Sequence, residues 1–390
     1  MQNLIASYHR LLENTPTDFI RYLHDKIEWD SRLIAILGAR GVGKTTMLLQ
    51  HIKLFNDINK TLFVSADDLY FAKHTLFDLA LTFYQDGGKY LYIDEIHKYR
   101  NWSIEIKNIY DQIPQLNVIY TGSSILDLEK LGGDLSRRKL QYYLYGLSFR
   151  EYIEMSKHIK VPINNFDYIL ANKIDFPYKE IRPVQLFNEY IKSGYYPFYA
   201  EKEYYRRLNN IVNQTLEVDI PQFAGMNVGT SRKLKQLLYI IAKSVPFKPN
   251  YSKLAINLDI SRNSLKDILF YLEKAGMIGQ LRSETGGVKL LGKVDKVMLD
   301  NTNLSYALSA EETNIGNIRE TFFYATMKVT QRILTSKVSD FTIGKYTFEI
   351  GGKNKGQKQI LTVKDGYIVK DNIEYGYKNI IPLWAFGLTY

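Results

Sequence analysis

Apolar residues follow two different rhythms along the chain. Between residues 33 and 121 short apolar runs recur: Leu33–Leu37, Thr61–Ser65 (TLFVS), Tyr90–Glu95 (YLYIDE) and Asn117–Thr121 (NVIYT). Each is short, without polar alternation and rich in β-branched or aromatic residues, the pattern of strands buried on both faces of a parallel sheet. Helical spacing follows the first run, with Met47, Leu48, Ile52 and Phe55 on one face. Alternating strand and helix predicts an α/β fold with a doubly wound parallel sheet. Ahead of it, residues 1–30 predict one or two amphipathic helices broken at Thr15-Pro16-Thr17. Their apolar faces carry Leu4, Tyr8, Leu11 and Leu12, then Phe19, Tyr22, Leu23 and Ile27.

Beyond residue 150 the pattern loosens around Pro162, Asn164-Asn165 and Pro177, then becomes helical. Tyr204–Val218 and Lys233–Lys243 read as helices. Tyr251–Leu258 and Ser261–Ala275 are two further helices joined by a tight Asp259-Ile260 turn. Ser261 is a natural N-cap, and Leu265, Ile268, Leu269 and Leu272 form one buried face. Gly276-Met277-Ile278 starts a strand, and Thr285-Gly286-Gly287 is suited to turning a hairpin. Helix, turn, helix and hairpin together predict a winged helix, on which Arg262, Asn263, Lys266 and Lys274 are the exposed residues of a recognition helix. Such a module either contacts DNA or acts as a packing or dimerisation module.

The polar residues between the first strand and helix carry the clearest chemistry. Gly38-Ala39-Arg40-Gly41-Val42-Gly43-Lys44-Thr45, followed by Thr46, is G-x-x-x-x-G-K-[ST] in its strand–loop–helix setting. Glycines let backbone N–H groups turn around a polyphosphate, and the helix N-terminus adds its positive dipole end. Lys44 can reach the β- and γ-phosphates of ATP, and Thr45 can ligate Mg²⁺. About 50 residues on, YLYIDE delivers two carboxylates at a strand tip. Asp94 is placed to hold Mg²⁺, and Glu95 to orient and deprotonate the attacking water. Ser123, in Gly122-Ser123-Ser124, either senses the γ-phosphate or belongs to a turn of small residues. Asp67 and Asp68 either face the nucleotide or cap a helix over Leu69–Phe77. His97 reads as a solvated surface histidine.

Composition adds constraints. The 390 residues are 45% hydrophobic and 24% charged, as in ordinary globular proteins with two or three domains. The absence of cysteine excludes disulfides and thiolate metal sites and fits a reducing, cytoplasmic setting. The sequence shows neither a signal peptide nor an apolar run of membrane-spanning length, so no membrane partner is expected. A formal charge of +10 favours an anionic partner such as DNA. The 31 tyrosines fit coding bias as readily as stacking surfaces.

Taken in order, GARGVGKTT, YLYIDEIHKY, VIYTGSS and LSRRKLQYYLYGLSFREY resemble the AAA+-type ATPases of bacteria and archaea. The family's L-S-F-R-E-Y segment is Leu147–Tyr152, and its Gly-Arg corresponds to Ser136-Arg137. The resemblance implies that Arg137 acts at the γ-phosphate, in cis or from a neighbouring subunit. The alternative is an arginine paired with surface acids. Gln185–Tyr199 resembles the family's Y-x-x-x-G-G-Y-P signature, with Tyr195 at the second glycine. Beyond Asp300 the chain resembles the accompanying C-terminal domain, whose fold is similar to the PD-(D/E)XK nucleases. The matching positions are Glu320, Asp340 and Glu349, with Ile380–Ala385 as the closing strand. The resemblance implies a metal at Asp340 and Glu349 and a water-activating lysine at position 351. That position is Gly351, with Lys353 two residues further on.

These readings predict an AAA+-like ATP-binding domain over residues 1–155, a helical lid or linker over 156–230, a winged helix over 231–300 and a nuclease-like domain over 301–390. The expected activity is Mg²⁺-dependent ATP hydrolysis coupled to conformational change, on DNA, with a homo-oligomer or protein partner also open. The alternatives are a nucleotide-gated switch recruiting a protein partner and an ATP-regulated nuclease, with efficient cleavage not expected.

Overall fold

The computed structural model describes residues 2–123, 135–244, 248–283, 294–309, 314–356, 360 and 362–390. The chain divides into two units, Met1–Gly146 and Leu147–Tyr390. The Leu147–Tyr152 segment therefore opens the second unit.

The first unit begins with α1 (Gln2–Glu13), which buries Leu4, Tyr8 and Leu12 and leaves Leu11 exposed. Strands β1 (Leu33–Gly38), β2 (Thr61–Ser65), β3 (Tyr90–Asp94) and β4 (Asn117–Ser123) alternate with α2 (Lys44–Phe55), α3 (Leu76–Gln85) and α4 (Trp102–Gln112), and β5 (Leu140–Tyr143) is the next described strand. The sheet is wholly parallel, in the order β2-β3-β4-β1-β5. Every residue of β1 is buried, which is why its sequence is continuously apolar. The register of the strands decides which side chains meet at their tips. Ser65 pairs with Asp94 and Gly38 with Ser123, so the carboxyl ends of four strands finish together.

One amphipathic helix forms in residues 1–30. Phe19–Ile27 carries only a short 3₁₀ turn, His24–Lys26. Gln50 of α2 donates its side-chain amide to the carbonyls of Pro16 and Phe19, and Pro16 lacks an N–H. These carbonyls are thus occupied by a side chain 31 to 34 residues away instead of by helical N–H groups. The buried Arg21 guanidinium donates to the carbonyls of Val42, Tyr145 and Gly146, holding this segment under the loop after β1.

The second unit opens with α5 (Phe149–Lys157), capped by Ser148 and Glu151 in a reciprocal capping box. Helices α6 (Phe166–Leu170), α7 (Pro183–Ser193), α8 (Tyr204–Gln214), α9 (Ile220–Ala224) and α10 (Val228–Ser244) follow. A π-turn at Thr215–Asp219 joins α8 to α9. Then α11 (Tyr251–Asn257) and α12 (Arg262–Lys274) precede the antiparallel pair β6 (Ile278–Leu281) and β7 (Lys296–Leu299). Ser261 caps α12 as expected, and its buried face is Leu265, Ile268, Leu269 and Leu272. The Thr285-Gly286-Gly287 turn lies outside the described residues.

The chain continues through α13 (Thr302–Ser309) and α14 (Ile315–Thr330) into β8 (Ile333–Thr335), β9 (Phe341–Ile343), β10 (Tyr346–Gly351), β11 (Gly366–Lys370) and β12 (Ile380–Pro382). This mixed sheet runs β12-β11-β10-β9-β8, antiparallel from β8 to β10 and parallel from β10 to β12. Phe323 of α14 packs its ring against Phe341, Phe348 and Phe386. The closing strand is shorter than Ile380–Ala385. It stops at Pro382, and Leu383–Leu388 turns into a buried 3₁₀ segment. Among the described residues no helix is long and apolar enough to cross a membrane.

In the first unit, His51 stacks on Trp29 with ring centroids 3.7 Å apart, and its Nδ1 lies 3.0 Å from His24 Nε2. Burial, reinforced by His24, pushes His51 down to about 3 from an ordinary 6.5. The unfolded chain takes up this proton first as pH falls. The contribution of neutral His51 is therefore full above about pH 6.5 and is lost progressively toward about 3. Thermal unfolding should show a lower midpoint at pH 5 than at pH 7, with a shallower drop in His51→Gln. Equal drops in both proteins would exclude His51 as the source.

Candidate functional site

The loop after β1 reverses direction through Gly41 (φ 82°) and Gly43 (φ 96°), conformations open to glycine and strained for other residues. The turn leads directly into the N-terminus of α2. Val42 is fully buried, and its carbonyl is held by Arg21. Ala39 is also buried, Arg40 is half-buried and Thr46 is exposed. Lys44 is only 5% exposed, and its Nζ donates to the carbonyls of Gly38 and Ala39 at 2.9 and 3.0 Å. Its charge thus rests inside the loop on neutral acceptors, which a phosphate anion outcompetes.

The tip of β3 stands beside this loop. Thr45 Oγ1 donates to Asp94 Oδ2 at 2.6 Å, and Thr121 Oγ1 of β4 donates to Asp94 Oδ1. Burial raises the Asp94 carboxyl above its ordinary range, opposed by these two hydroxyls. A carboxylate and a hydroxyl oxygen side by side form a donor set suited to a hard cation such as Mg²⁺. Thr121 Oγ1 also accepts the Glu95 N–H at 3.0 Å. Glu95 itself adopts a left-handed conformation, φ 51°. Its Oε2 lies 3.4 Å from His97 Nε2 and 3.7 Å from Arg40 Nη2.

The structure brings the phosphate loop, Asp94, Glu95 and Ser123 together at the aligned strand ends, Ser123 standing opposite Gly38. It also corrects one expectation. His97 is not a solvated histidine, since its side chain is 7% exposed and faces Glu95. Asp68 caps the Leu69–Ala72 turn through the Tyr70 N–H, and Asp67 accepts from Ser65. Arg137 is exposed in the turn before β5, and it is the neighbouring Arg138 that pairs with Asp111. Thr121 and Arg21 were missed in the sequence. The hydroxyl of Thr121 sits inside an apolar run, and Arg21 carries no local signature.

A second cluster lies in the second unit. Lys296 Nζ of β7 is 3.6 Å from Glu320 of α14 and 4.0 Å from Asp340. Lys355 Nζ contacts Glu349, which also accepts from Ser339, and Asp340 accepts the Ile350 N–H at 2.8 Å. Burial and then the charge of Asp340 push Glu320 up to about 7. The lysine at Glu349 is Lys355 rather than Lys353, whose carbonyl accepts from Lys370. Gly351 opens the route, because a Cβ there would stand 2.5–2.7 Å from the Lys355 stem. The cluster borders a cavity of about 770 Å³ also lined by Lys248 and Lys337. Among the described residues, no group of three or more His, Asp or Glu is arranged to hold a metal. Arg262, Asn263 and Lys266 are exposed along α12.

Parts of the chain are similar to known families and proteins. Residues 30–153 match the family described as an AAA domain. That span contains the loop, β1 to β5 and both carboxylates, on a parallel α/β sheet of the P-loop type. Residues 184–314 match a domain of unknown function, DUF8612. An uncharacterized protein of Methanocaldococcus jannaschii is 30% identical over 296 residues, 70% of this chain and 62% of that protein's length. Among solved structures, the S. cerevisiae Hsp104–ADP complex is 16% identical over 70% of this chain and 39% of its own, with a TM-score of 0.29. AMPPCP-bound DnaA from Aquifex aeolicus is 15% identical over 69% of this chain and 86% of its own, with a TM-score of 0.27.

Thr121→Val keeps the shape of the side chain and removes both hydrogen bonds at the strand tip. A bond to a buried carboxylate contributes about 1.5–3 kcal/mol. Urea unfolding of the variant should show a loss of that order. Stability equal to the parent would mean that the Asp94–Thr121–Glu95 chain carries no load.

Proposed function

We propose that the chain is an ATPase whose first unit binds and hydrolyses ATP with Mg²⁺, the cycle driving rearrangement of the second unit on DNA. The observation that carries this reading is the buried Lys44 amine turned into the phosphate loop beside the Thr45–Asp94 pair, with Glu95 next in the chain. Backbone N–H groups from Ala39 to Thr46 and the N-terminus of α2 cradle the phosphates. Lys44 exchanges two neutral carbonyls for the β- and γ-phosphates. Thr45 and Asp94 would hold Mg²⁺, which when bound would supply positive charge for the phosphate oxygens. Glu95 takes the proton of the attacking water, and Ser123 and Arg137 attend the γ-phosphate, Arg137 from this chain or a neighbouring copy. A nucleotide-gated switch that recruits a protein partner needs the loop but not a base, so Glu95 beside Asp94 favours turnover.

DNA as partner is supported by the formal charge of +10 and by Arg262, Asn263 and Lys266 on the exposed face of a helix preceding an antiparallel pair. The acids of the C-terminal sheet have a different use. A divalent cation at Asp340 and Glu349 would have to displace the amines of Lys296 and Lys355. We read this cluster as neutralised by lysine, and efficient cleavage of nucleic acid is not expected from it.

Lys44→Ala should abolish binding of a fluorescent ATP analogue while leaving the fold intact. Glu95→Gln should bind the analogue like the parent and hydrolyse ATP a hundred-fold or more slowly, roughly the contribution of a general base. Undiminished binding by the first variant, or parental turnover by the second, would overturn the corresponding assignment. Changing Arg262 and Lys266 together to Glu should weaken DNA binding and lower its salt slope by about one per lost phosphate contact. Unchanged affinity and slope would leave α12 a packing element.

A further inference from the structure

Glu95 is constrained on three sides. Its N–H is fixed by Thr121, and its carbonyl accepts the Lys98 N–H at 2.8 Å, closing the Ile96–Lys98 turn. Ile96, completely buried, anchors that turn. The chain therefore reverses within two residues, and the ring of His97 comes back against the carboxylate from which the turn began. His97 Nε2 is 3.4 Å from Oε2, the same oxygen that Arg40 of the phosphate loop approaches. The ring side chain is 7% exposed and that of Glu95 25%, so the ring is buried while the carboxylate side chain keeps some access to solvent. A glutamate side chain has several rotamers, and confining it costs conformational entropy unless packing or hydrogen bonding fixes it.

We propose that His97 is a positioning residue for Glu95. The buried ring nitrogen stands 3.4 Å from Oε2, outside hydrogen-bond geometry in this structure. By closing on Oε2 during the reaction it leaves Oε1 to receive the proton of the attacking water. The proposal rests on the reading of Glu95 as the base. It assigns no contact between His97 and ATP, so it requires the ring to matter for the chemical step and not for nucleotide affinity.

Steady-state ATP hydrolysis by the full chain, with Mg²⁺, tests this in a double-mutant cycle. His97→Ala should lower kcat by about ten- to a hundred-fold, the scale of a misplaced reacting group, with KM for ATP unchanged. His97→Gln, which keeps an N–H donor on that side of Oε2, should recover most of the rate. Combining His97→Ala with Glu95→Gln should give the rate of Glu95→Gln alone, because the ring acts only through the carboxylate. If His97→Ala does not fold, His97→Phe, which fills the space without a donor, takes its place in the comparison with His97→Gln. Equal rates for Phe and Gln would overturn the proposal. So would parental turnover by His97→Ala beside a slow Glu95→Gln, or losses that multiply in the double variant. Parental turnover by Glu95→Gln would instead remove the base itself, and with it the role of His97.

Discussion

Asp94 is a carboxylate almost closed to water, and the geometry of the first unit converges on it. An ionised group in that position is costly unless hydrogen bonds replace its hydration. Here the replacements come from two other elements, Thr45 at the start of α2 and Thr121 near the end of β4. One side chain thus ties the phosphate loop's helix to two strands. The parallel register makes the arrangement possible, since Ile93 pairs with Tyr120 and Leu37 with Gly122. A slip of one residue would turn Asp94 to the opposite face of the sheet.

The second unit handles buried carboxylates differently. Around Asp94 the hydrogen bonds come from neutral hydroxyls, with the charge of Lys44 nearby. Around Glu320, Asp340 and Glu349 the chain brings its own cations, Lys296 from β7 and Lys355 from the loop after β10. The lysine from β7 also ties the β6–β7 pair to the C-terminal sheet, an attachment that the bridge between Ser283 and Thr335 reinforces. One carboxylate is held by hydroxyls, whereas the others share two lysine amines.

How much of this was legible in the sequence depended on the range of the interactions. Strands β1 to β4 were readable because full burial forces continuous apolar runs. The phosphate loop and the Asp94-Glu95 pair were readable because their chemistry is local. The segment Phe19–Ile27 looked helical by periodicity, yet Gln50 and Arg21 commit its surroundings to partners far along the chain. His97 looked solvated because nothing in the string reports that a 3₁₀ turn folds it back. Lys355 was missed for the same reason, since spacing along β10 pointed to position 351 and the structure supplies the amine from four residues later.

The π-turn between α8 and α9 has its own arithmetic. Tyr204, Leu208, Val212, Leu216 and Ile220 are all buried, each four residues from the last. In a regular α-helix four residues overshoot a full turn by about 40°. Over these steps the stripe would wind roughly 160° around the axis, carrying Ile220 most of the way to the far side of Tyr204. A wider turn absorbs part of that drift. The interval of four is thus matched to an underwound helix, and the spare residue in Thr215–Asp219 acts as a phase correction that keeps one seam facing one direction.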